Sequence, residues 1–211
     1  MKIYVVGSSK NKFLPLDNIR KKFFIDQKHE GDNIDFLNPW YCELTGLYYL
    51  WKHCDDDIVG LEHYRRYFVN DRNKLLSESE IRKLLETNDV IVCDKNRGIQ
   101  NYPLKQALLE RIKVNDLNSF MNNIDDFYKD CFNFYLEKST YKCPYNMIIC
   151  KKSVLDEWCK FIFSNVNILN EQKVFNDKNK RFAGFISEFL LYGFLLINKY
   201  RIVKCPIRFV K

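Results

Sequence analysis

Apolar residues along the chain occur in short runs, separated by longer segments with helical periodicity. Runs rich in β-branched and aromatic residues predict strands at residues 2–6, 58–61, 89–93 and 145–150, with a short last strand at 202–206. Apolar positions three and four apart predict helices at 38–51, 77–86, 116–138, 155–163 and 181–198. Residues 10–36, 98–112 and 165–180 carry neither pattern, so we expect them to be irregular. The order of elements predicts an α/β fold.

Strands separated by helices are typical of a mostly parallel central sheet with flanking helices. In such sheets the ligand lies beyond the carboxyl ends of the strands. Polar residues follow three of the predicted strands: Gly7 and Ser8 follow the first, His63 to Arg66 the second, and Asp94 the third. The sequence therefore predicts one cleft at this edge of the sheet.

Composition narrows the class of protein. The 211 residues are 46% hydrophobic, which suits one packed domain over 1–211. The net charge of +7 fits a generic lysine-rich chain, a phosphate-bearing ligand, or an anionic membrane or nucleic acid. None of the eight cysteines forms a C-x-x-C pair, and no apolar run reaches membrane-spanning length. We expect a cytoplasmic protein with reduced thiols.

The segment Gly60-Leu-Glu-His-Tyr-Arg-Arg-Tyr-Phe68 concentrates charge where the second strand ends. Arg65 and Arg66 are planar donors suited to gripping phosphate oxygens in a bidentate manner. Since neighbouring side chains on an extended segment point in opposite directions, we expect one arginine in the cleft. The other would pair with the acidic triplet at 55–57. His63 would act either as an imidazolium or as a neutral hydrogen-bond donor.

Two acids are candidates for a general base. Glu188 lies near the start of an apolar helix, where it would either compensate the helix dipole or abstract a proton. Asp94 competes for the same role at the end of the third strand. Tyr145 and Asn146 would bind a sugar hydroxyl or form a turn, and Tyr64 would stack on a ring or join the core.

Four blocks of the sequence carry a resemblance to a known family. They are GDNIDFLNPWYCELTGLYYLW, IVGLEHYRRYF, PYNMIICKKSVLDEWCKFIF and RFAGFISEFLL, in this order over most of the chain. Together they resemble bacterial capsular and exopolysaccharide biosynthesis proteins. That family was long labelled a domain of unknown function, and its members are regarded as glycosyltransferases, including galactofuranosyltransferases. HYRRYF is the most specific block.

The resemblance implies a single GT-A-type domain that moves a sugar, with galactofuranose as a candidate, from a UDP-sugar to a glycan or lipid-linked acceptor. Catalytic candidates are then Glu188, Asp94 and His63. Donor-binding candidates are Gly7, Ser8, Asp32, Asn33, Asn38, Thr45, Tyr64, Arg65 and Arg66. Acceptor-binding candidates are Tyr145, Asn146, Arg181 and Ser187. Tyr41, Glu43 and Met147 also match the blocks, but we assign them no role.

Two departures from the family pattern shape the alternatives. Residues 95–115 lack histidine, which leaves a catalytically degenerate UDP-binding partner subunit as one alternative. No Asp-x-Asp follows the second strand; either Glu62 binds Mn²⁺ or Mg²⁺ alone, or cationic side chains replace the metal ion. We expect no nucleic-acid partner, although a basic nucleic-acid-binding domain is a further alternative. Peripheral contact with the inner membrane face is also expected.

Overall fold

The computed structural model describes residues 1–94, 98–171 and 175–210, with the backbone alone at 168, 170 and 177. The described residues form eight strands: β1 (Lys2–Gly7), β2 (Arg20–Phe24), β3 (Ile58–His63), β4 (Arg66–Phe68), β5 (Val90–Cys93), β6 (Ile148–Lys151), β7 (Ile202–Cys205) and β8 (Ile207–Phe209). The described helices are α1 (Asn38–Tyr41), α2 (Leu44–His53), α3 (Glu78–Thr87), α4 (Leu104–Leu109), α5 (Val114–Met121), α6 (Asp126–Lys138), α7 (Lys152–Glu171) and α8 (Phe182–Ile197).

The strands form one sheet in the order β2-β1-β3-β6-β5-β7, with β4 and β8 extending from β3. Along this path five strands run in one direction, and β6 runs antiparallel to both of its neighbours. The predicted α/β fold with a mostly parallel sheet and flanking helices is therefore confirmed. The antiparallel direction of β6 brings the start of this strand to the edge where β3 ends.

Side-chain alternation along the strands divides the core into two parts. Val59 and Leu61 of β3 join a large core that includes most of the helices, whereas Ile58 joins a smaller core beneath α3. By the same period of two, His63 lies on the face of the large core and Glu62 on the opposite face. Two adjacent residues of one strand thus have unrelated surroundings.

Several element boundaries differ from the sequence prediction. Residues 20–24 form the edge strand β2, which the sequence did not predict. Arg20 and Phe23 are buried while Lys21 and Lys22 are exposed, so the strand carries only a weak apolar pattern. The helix predicted at 116–138 is two helices, α5 and α6. A short helix, α4, occupies part of the segment predicted as irregular at 98–112, and α7 continues into the predicted loop at 165–180. The parts of these segments at 95–97 and 172–174 lie outside the described residues.

Local signals in the sequence held where they were strong. Ser77 accepts a hydrogen bond from the amide of Glu80, and the carboxylate of Glu80 accepts one from the amide of Ser77, so the predicted capping box opens α3. Among the described helices, none combines the length and apolar character needed to cross a bilayer.

Candidate functional site

A cleft of about 630 Å³ opens at the edge of the sheet where β1 and β3 end. Gly7 and Ser8 continue β1 into its wall, and Tyr145 enters from the turn before β6. The backbones approach closely here, since a Cβ on Gly7 would lie 2.9 Å from the Cβ of Tyr64. The remaining walls come from the residues before α2, from the end of α4, and from the first two turns of α8.

Both arginines of the HYRRYF segment line this cleft, so the expectation that one of them faces away is wrong. The reason is a tight turn at Tyr64 and Arg65 that reverses the chain and pairs His63 with Arg66 in an antiparallel hairpin. The acidic triplet has other partners: Asp56 binds the amino group of Met1, and Asp57 binds Arg82.

The guanidinium of Arg66 is held by aromatic rings. Its Cζ lies 3.9 Å from the ring centroid of Tyr145 and 5.0 Å from that of Phe209, which is cation–π geometry. The Nε of Arg66 is buried and has no hydrogen-bond partner among the described residues. Stacking therefore positions this cation without neutralising it.

Arg181 adds a third guanidinium from the opposite wall. It caps α8 in the left-handed conformation, with φ 65°, and its Cζ lies 4.9 Å from the ring of Phe185. Within the described parts of the chain, no carboxylate lies at ion-pair distance from Arg65, Arg66 or Arg181. Three unneutralised guanidiniums facing one cleft favour an anionic ligand.

His63 is a neutral donor in this arrangement. Its Nε2 lies 2.8 Å from the carbonyl oxygen of Tyr145, which can only accept a hydrogen bond, so this nitrogen carries the proton. Burial lowers the pKa of His63 to about 4, and the charges of Arg66, Arg65 and Arg181 act in the same direction. Of the two interpretations of His63, the structure favours the neutral ring, which fixes the turn before β6.

Two acids lie on the cleft wall formed by α8 and the start of α2. Glu188 is paired with Lys142. Glu43 is buried, and its Oε1 accepts a hydrogen bond of 2.8 Å from the Nδ2 of Asn146. Burial, with Glu188 nearby, raises the pKa of Glu43 to about 7, while Asn146 and Arg181 act against this rise. Glu43 therefore exchanges a proton near neutral pH.

Several predicted site residues lie outside the cleft. Asp94 follows β5, and because β6 is inserted between β3 and β5, this acid is separated from His63 by a strand. Asp32 accepts a hydrogen bond from the hydroxyl of Tyr48 (2.8 Å), and the hydroxyl of Thr45 donates to the carbonyl of Cys42 (2.9 Å). Neither Asp32 nor Thr45 lines the cleft itself.

Asn33 and Asn38 line a second cavity of about 500 Å³, which shares Ile25 with the cleft. Asn33 braces its own turn by donating to the carbonyls of His29 and Gly31. The Oδ1 of Asn38 is buried, and no group in the described parts of the chain forms a hydrogen bond with it. The two cavities are thus neighbours, and an extended ligand would reach both.

Asn146 and Ser187 are fully buried beneath the cleft, where Ser187 donates to Asn146 and Asn146 supports Glu43. Sequence reasoning did not assign a role to Glu43, nor did it select Arg111 or Lys142, which also line the cleft. Glu43 precedes an apolar helix, where an acid is ordinarily read as compensating the helix dipole. Its burial is set by contacts more than 100 residues away, which no local pattern reveals.

The residues present do not fit a metal ion held by Glu62. Glu62 is fully buried on the opposite face of the sheet, where its two oxygens accept from Arg20 (2.7 and 3.2 Å) and from the amide of Phe68 (2.9 Å). Within the described residues there is also no group of three or more His, Cys, Asp or Glu side chains arranged to hold a metal ion.

The fold of this chain is similar to that of a solved glycosyltransferase structure. The apo structure of WbbM, described as a bifunctional glycosyltransferase, superposes with a TM-score of 0.80 at 21% sequence identity. The match covers 100% of this chain and 45% of the WbbM chain, so the present chain corresponds to less than half of that protein. A likeness at this identity shows the fold. A comparison with curated proteins found no match.

Residues 2–199 match the model of the domain of unknown function DUF4422, and the chain belongs to that family. Membership of a family labelled in this way agrees with the resemblance found in the sequence. The link between the HYRRYF block and polysaccharide synthesis stays a prediction.

Proposed function

We propose that this protein is a glycosyltransferase that moves a sugar from a UDP-sugar to a surface-polysaccharide or lipid-linked glycan acceptor, with galactofuranose as the candidate sugar. The observation that carries the proposal is the set of three guanidiniums, from Arg65, Arg66 and Arg181, that face one cleft with no carboxylate of the described residues at ion-pair distance. The fold likeness to a bifunctional glycosyltransferase supports the same class.

The arginines would bind the diphosphate of the donor. As the bond between the sugar and the diphosphate breaks, negative charge collects on the leaving group, and fixed cations at that position lower the barrier. Bidentate guanidiniums suit phosphate oxygens in number and geometry. His63 would contribute by orienting Tyr145, whose ring holds Arg66 in place.

The neighbouring cavity gives room for the nucleoside. From a diphosphate at Arg65, the end of β1 leads past Ser8 and Ile25 toward Asn33 and Asn38. The amides of Ser8 and Ser9 are already used by Asn11 (2.6 Å) and Asp26 (2.8 Å), so they shape this passage rather than bind the donor.

Calorimetric titration of UDP and a panel of UDP-sugars, with and without Mn²⁺, tests the proposal. We expect UDP to bind, and we expect Arg65→Ala and Arg66→Ala to remain folded. At least one of them should lose about 10–100-fold in affinity, since a hydrogen bond to a charged group contributes roughly 1.5–3 kcal/mol. The same variant should lose UDP release from the accepted UDP-sugar.

Arg72→Ala is the matched control, because Arg72 is exposed and lies away from the cleft. Full affinity and turnover in both cleft variants would contradict the assignment of the diphosphate site. Binding of UDP without turnover of any UDP-sugar would support the degenerate partner subunit instead. The Mn²⁺ arm reports directly whether a cation is required.

A further inference from the structure

Glu43 and Glu188 line the same wall of the cleft, and each is 9% exposed. Their surroundings differ in one respect. Glu188 has a cationic partner in Lys142. Glu43 is bound by an uncharged amide, that of Asn146, and faces the negative charge of Glu188. Burial and this neighbouring charge raise the pKa of Glu43 to about 7.

A buried network fixes the carboxylate of Glu43. The amide nitrogen of Asn146 donates to Glu43 (2.8 Å) and to the carbonyl of Gly184 (3.1 Å), and its oxygen accepts from the hydroxyl of Ser187 (2.7 Å). Because a carboxylate and a carbonyl only accept, the amide of Asn146 has a single consistent orientation. Asn146 uses Oε1 of Glu43 and does not use Oε2.

The backbone around this network is held in an unfavourable conformation. Cys42, Tyr145, Asn146 and Arg181 have φ values of 53°, 66°, 53° and 65°, in the left-handed region that residues other than glycine rarely adopt. Such residues cost on the order of 1 kcal/mol or more each and persist where the surroundings determine them. They adjoin Glu43, its hydrogen-bond donor, and the start of α8, so the strain is concentrated at one position of the cleft.

We propose that Glu43 is the catalytic base of the transfer, with Asn146 and Ser187 as positioning residues; the proposal rests on the glycosyltransferase function above. The acceptor hydroxyl oxygen forms a bond to the anomeric carbon of the donor sugar. The bond from that carbon to the diphosphate oxygen breaks, and its electron pair leaves with UDP. The hydroxyl proton passes to Glu43, which returns it to solvent after the product leaves.

The charges around Glu43 are compatible with this role. Glu188 and Arg181 face it from α8 with opposite signs, Cys42 is its neighbour in the chain, and Lys142 offsets part of the charge of Glu188. Burial and Glu188 raise the pKa of Glu43 to about 7. An acid of this pKa is ionised at pH 8 and is a stronger base than an ordinary carboxylate.

The test compares Glu43→Gln with wild type in two assays: UDP binding by calorimetry, and UDP release from UDP-sugars with water or a methyl glycoside as acceptor. We expect UDP affinity to change less than threefold and turnover to fall by about 10²–10⁴-fold, as for loss of a general base. Glu43→Asp should retain part of the activity. The control Glu86→Gln should retain all of it, because Glu86 is exposed on α3 and lies away from the cleft.

The pH profile of UDP release separates a base from a merely structural residue. Glu188→Gln removes a neighbouring negative charge, so the acid limb should move to lower pH by roughly 1 unit. Ser187→Ala loosens the amide that stabilises the carboxylate, so the limb should move to higher pH. If the acid limb of the pH profile does not move in either variant, or if Glu43→Gln is as active as wild type, Glu43 is not the base. Turnover by wild type would in that case still support the glycosyltransferase function. Wild type without UDP binding or release would overturn both.

Discussion

Two buried glutamates, Glu62 and Glu43, show how differently this fold treats the same side chain. Glu62 lies within β3 and meets the guanidinium of Arg20 at 2.7 Å. Asp17 and the carbonyl of Leu76 satisfy the rest of that guanidinium. Glu43 lies on the other side of the sheet, where it meets an amide and a second acid.

These surroundings suit Glu62 to stabilising the fold and Glu43 to exchanging a proton. Burial acts to lower the pKa of Arg20, but Glu62 and Asp17 outweigh it and raise that pKa, so the guanidinium stays charged. Burial raises the pKa of Glu62, and Arg20 and the amide of Phe68 act against that rise. Glu62 thus has a fixed cation as its partner and forms a balanced buried pair with it. Glu43 carries a charge that its surroundings oppose, and it therefore exchanges a proton in the range where enzymes work.

The largest effect on stability is expected at the balanced pair. Glu62→Gln leaves the charge of Arg20 buried with Asp17 as its remaining acid, and removing one partner of a buried pair costs roughly 3–5 kcal/mol. The free energy of unfolding in urea at pH 7 measures this loss. A loss below about 1 kcal/mol, the range of exposed pairs, would show that Glu62 and Arg20 are not a balanced buried pair.

At Glu43 we expect the same kind of substitution to raise the free energy of unfolding. Its native pKa of about 7 lies above the ordinary 4.5, so the native state binds the proton more tightly than the unfolded state. Ionised Glu43 thus costs stability above pH 7, and the cost disappears as pH falls to 4.5. Glu43→Gln should gain about 2–3 kcal/mol at pH 8 and little at pH 4.5, since one pKa unit corresponds to about 1.4 kcal/mol.

Urea unfolding of wild type and Glu43→Gln at both pH values measures this difference. A gain that is equal at pH 8 and pH 4.5 would mean that packing, and not the charge of Glu43, is responsible.

His63 should affect the free energy of unfolding less than Glu43 does, and its effect should grow as the pH falls. Its native pKa of about 4 lies below the ordinary 6.5, so the unfolded state takes up the proton first and stability falls as pH drops from 6.5 to 4. His63→Gln keeps a donor for Tyr145 and should remove about 1–2 kcal/mol of that fall, less than the full shift because His63 is partly exposed. Thermal melting between pH 7 and pH 4 tests this. If the melting temperatures of the two proteins fell in parallel with pH, a group other than His63 would be taking up the proton.

The smallest effect is expected at an exposed pair. Lys105 and Glu137 lie 2.8 Å apart on the surfaces of α4 and α6, where water screens both charges. Lys105→Ala should leave the midpoint of urea unfolding unchanged within error. A clear loss would mean that burial is not what distinguishes Glu62.

The local pattern of the sequence was sufficient for the elements with strong signals. Short runs rich in β-branched and aromatic residues located β1, β3, β5 and β7, and the capping box located the start of α3. The rule that ligands lie at the carboxyl ends of parallel strands placed Gly7 and His63 in one cleft, and both line it. The strands and the helix start depend on residues within a few positions of each other, and the rule for parallel sheets needs only the order of these elements, so the sequence alone determined them.

Only the tertiary structure decided which charges are paired. The antiparallel direction of β6 brings Tyr145 to His63 across 82 positions of the chain and displaces Asp94 by a strand. Arg20 meets Glu62 across 42 positions, and Asn146 meets Glu43 across 103. The free energy of a charge depends on the solvent and groups within a few ångströms of it, and for buried residues those groups come from distant parts of the chain. A local pattern contains no record of such contacts, so it could not separate a structural glutamate from a proton-accepting one.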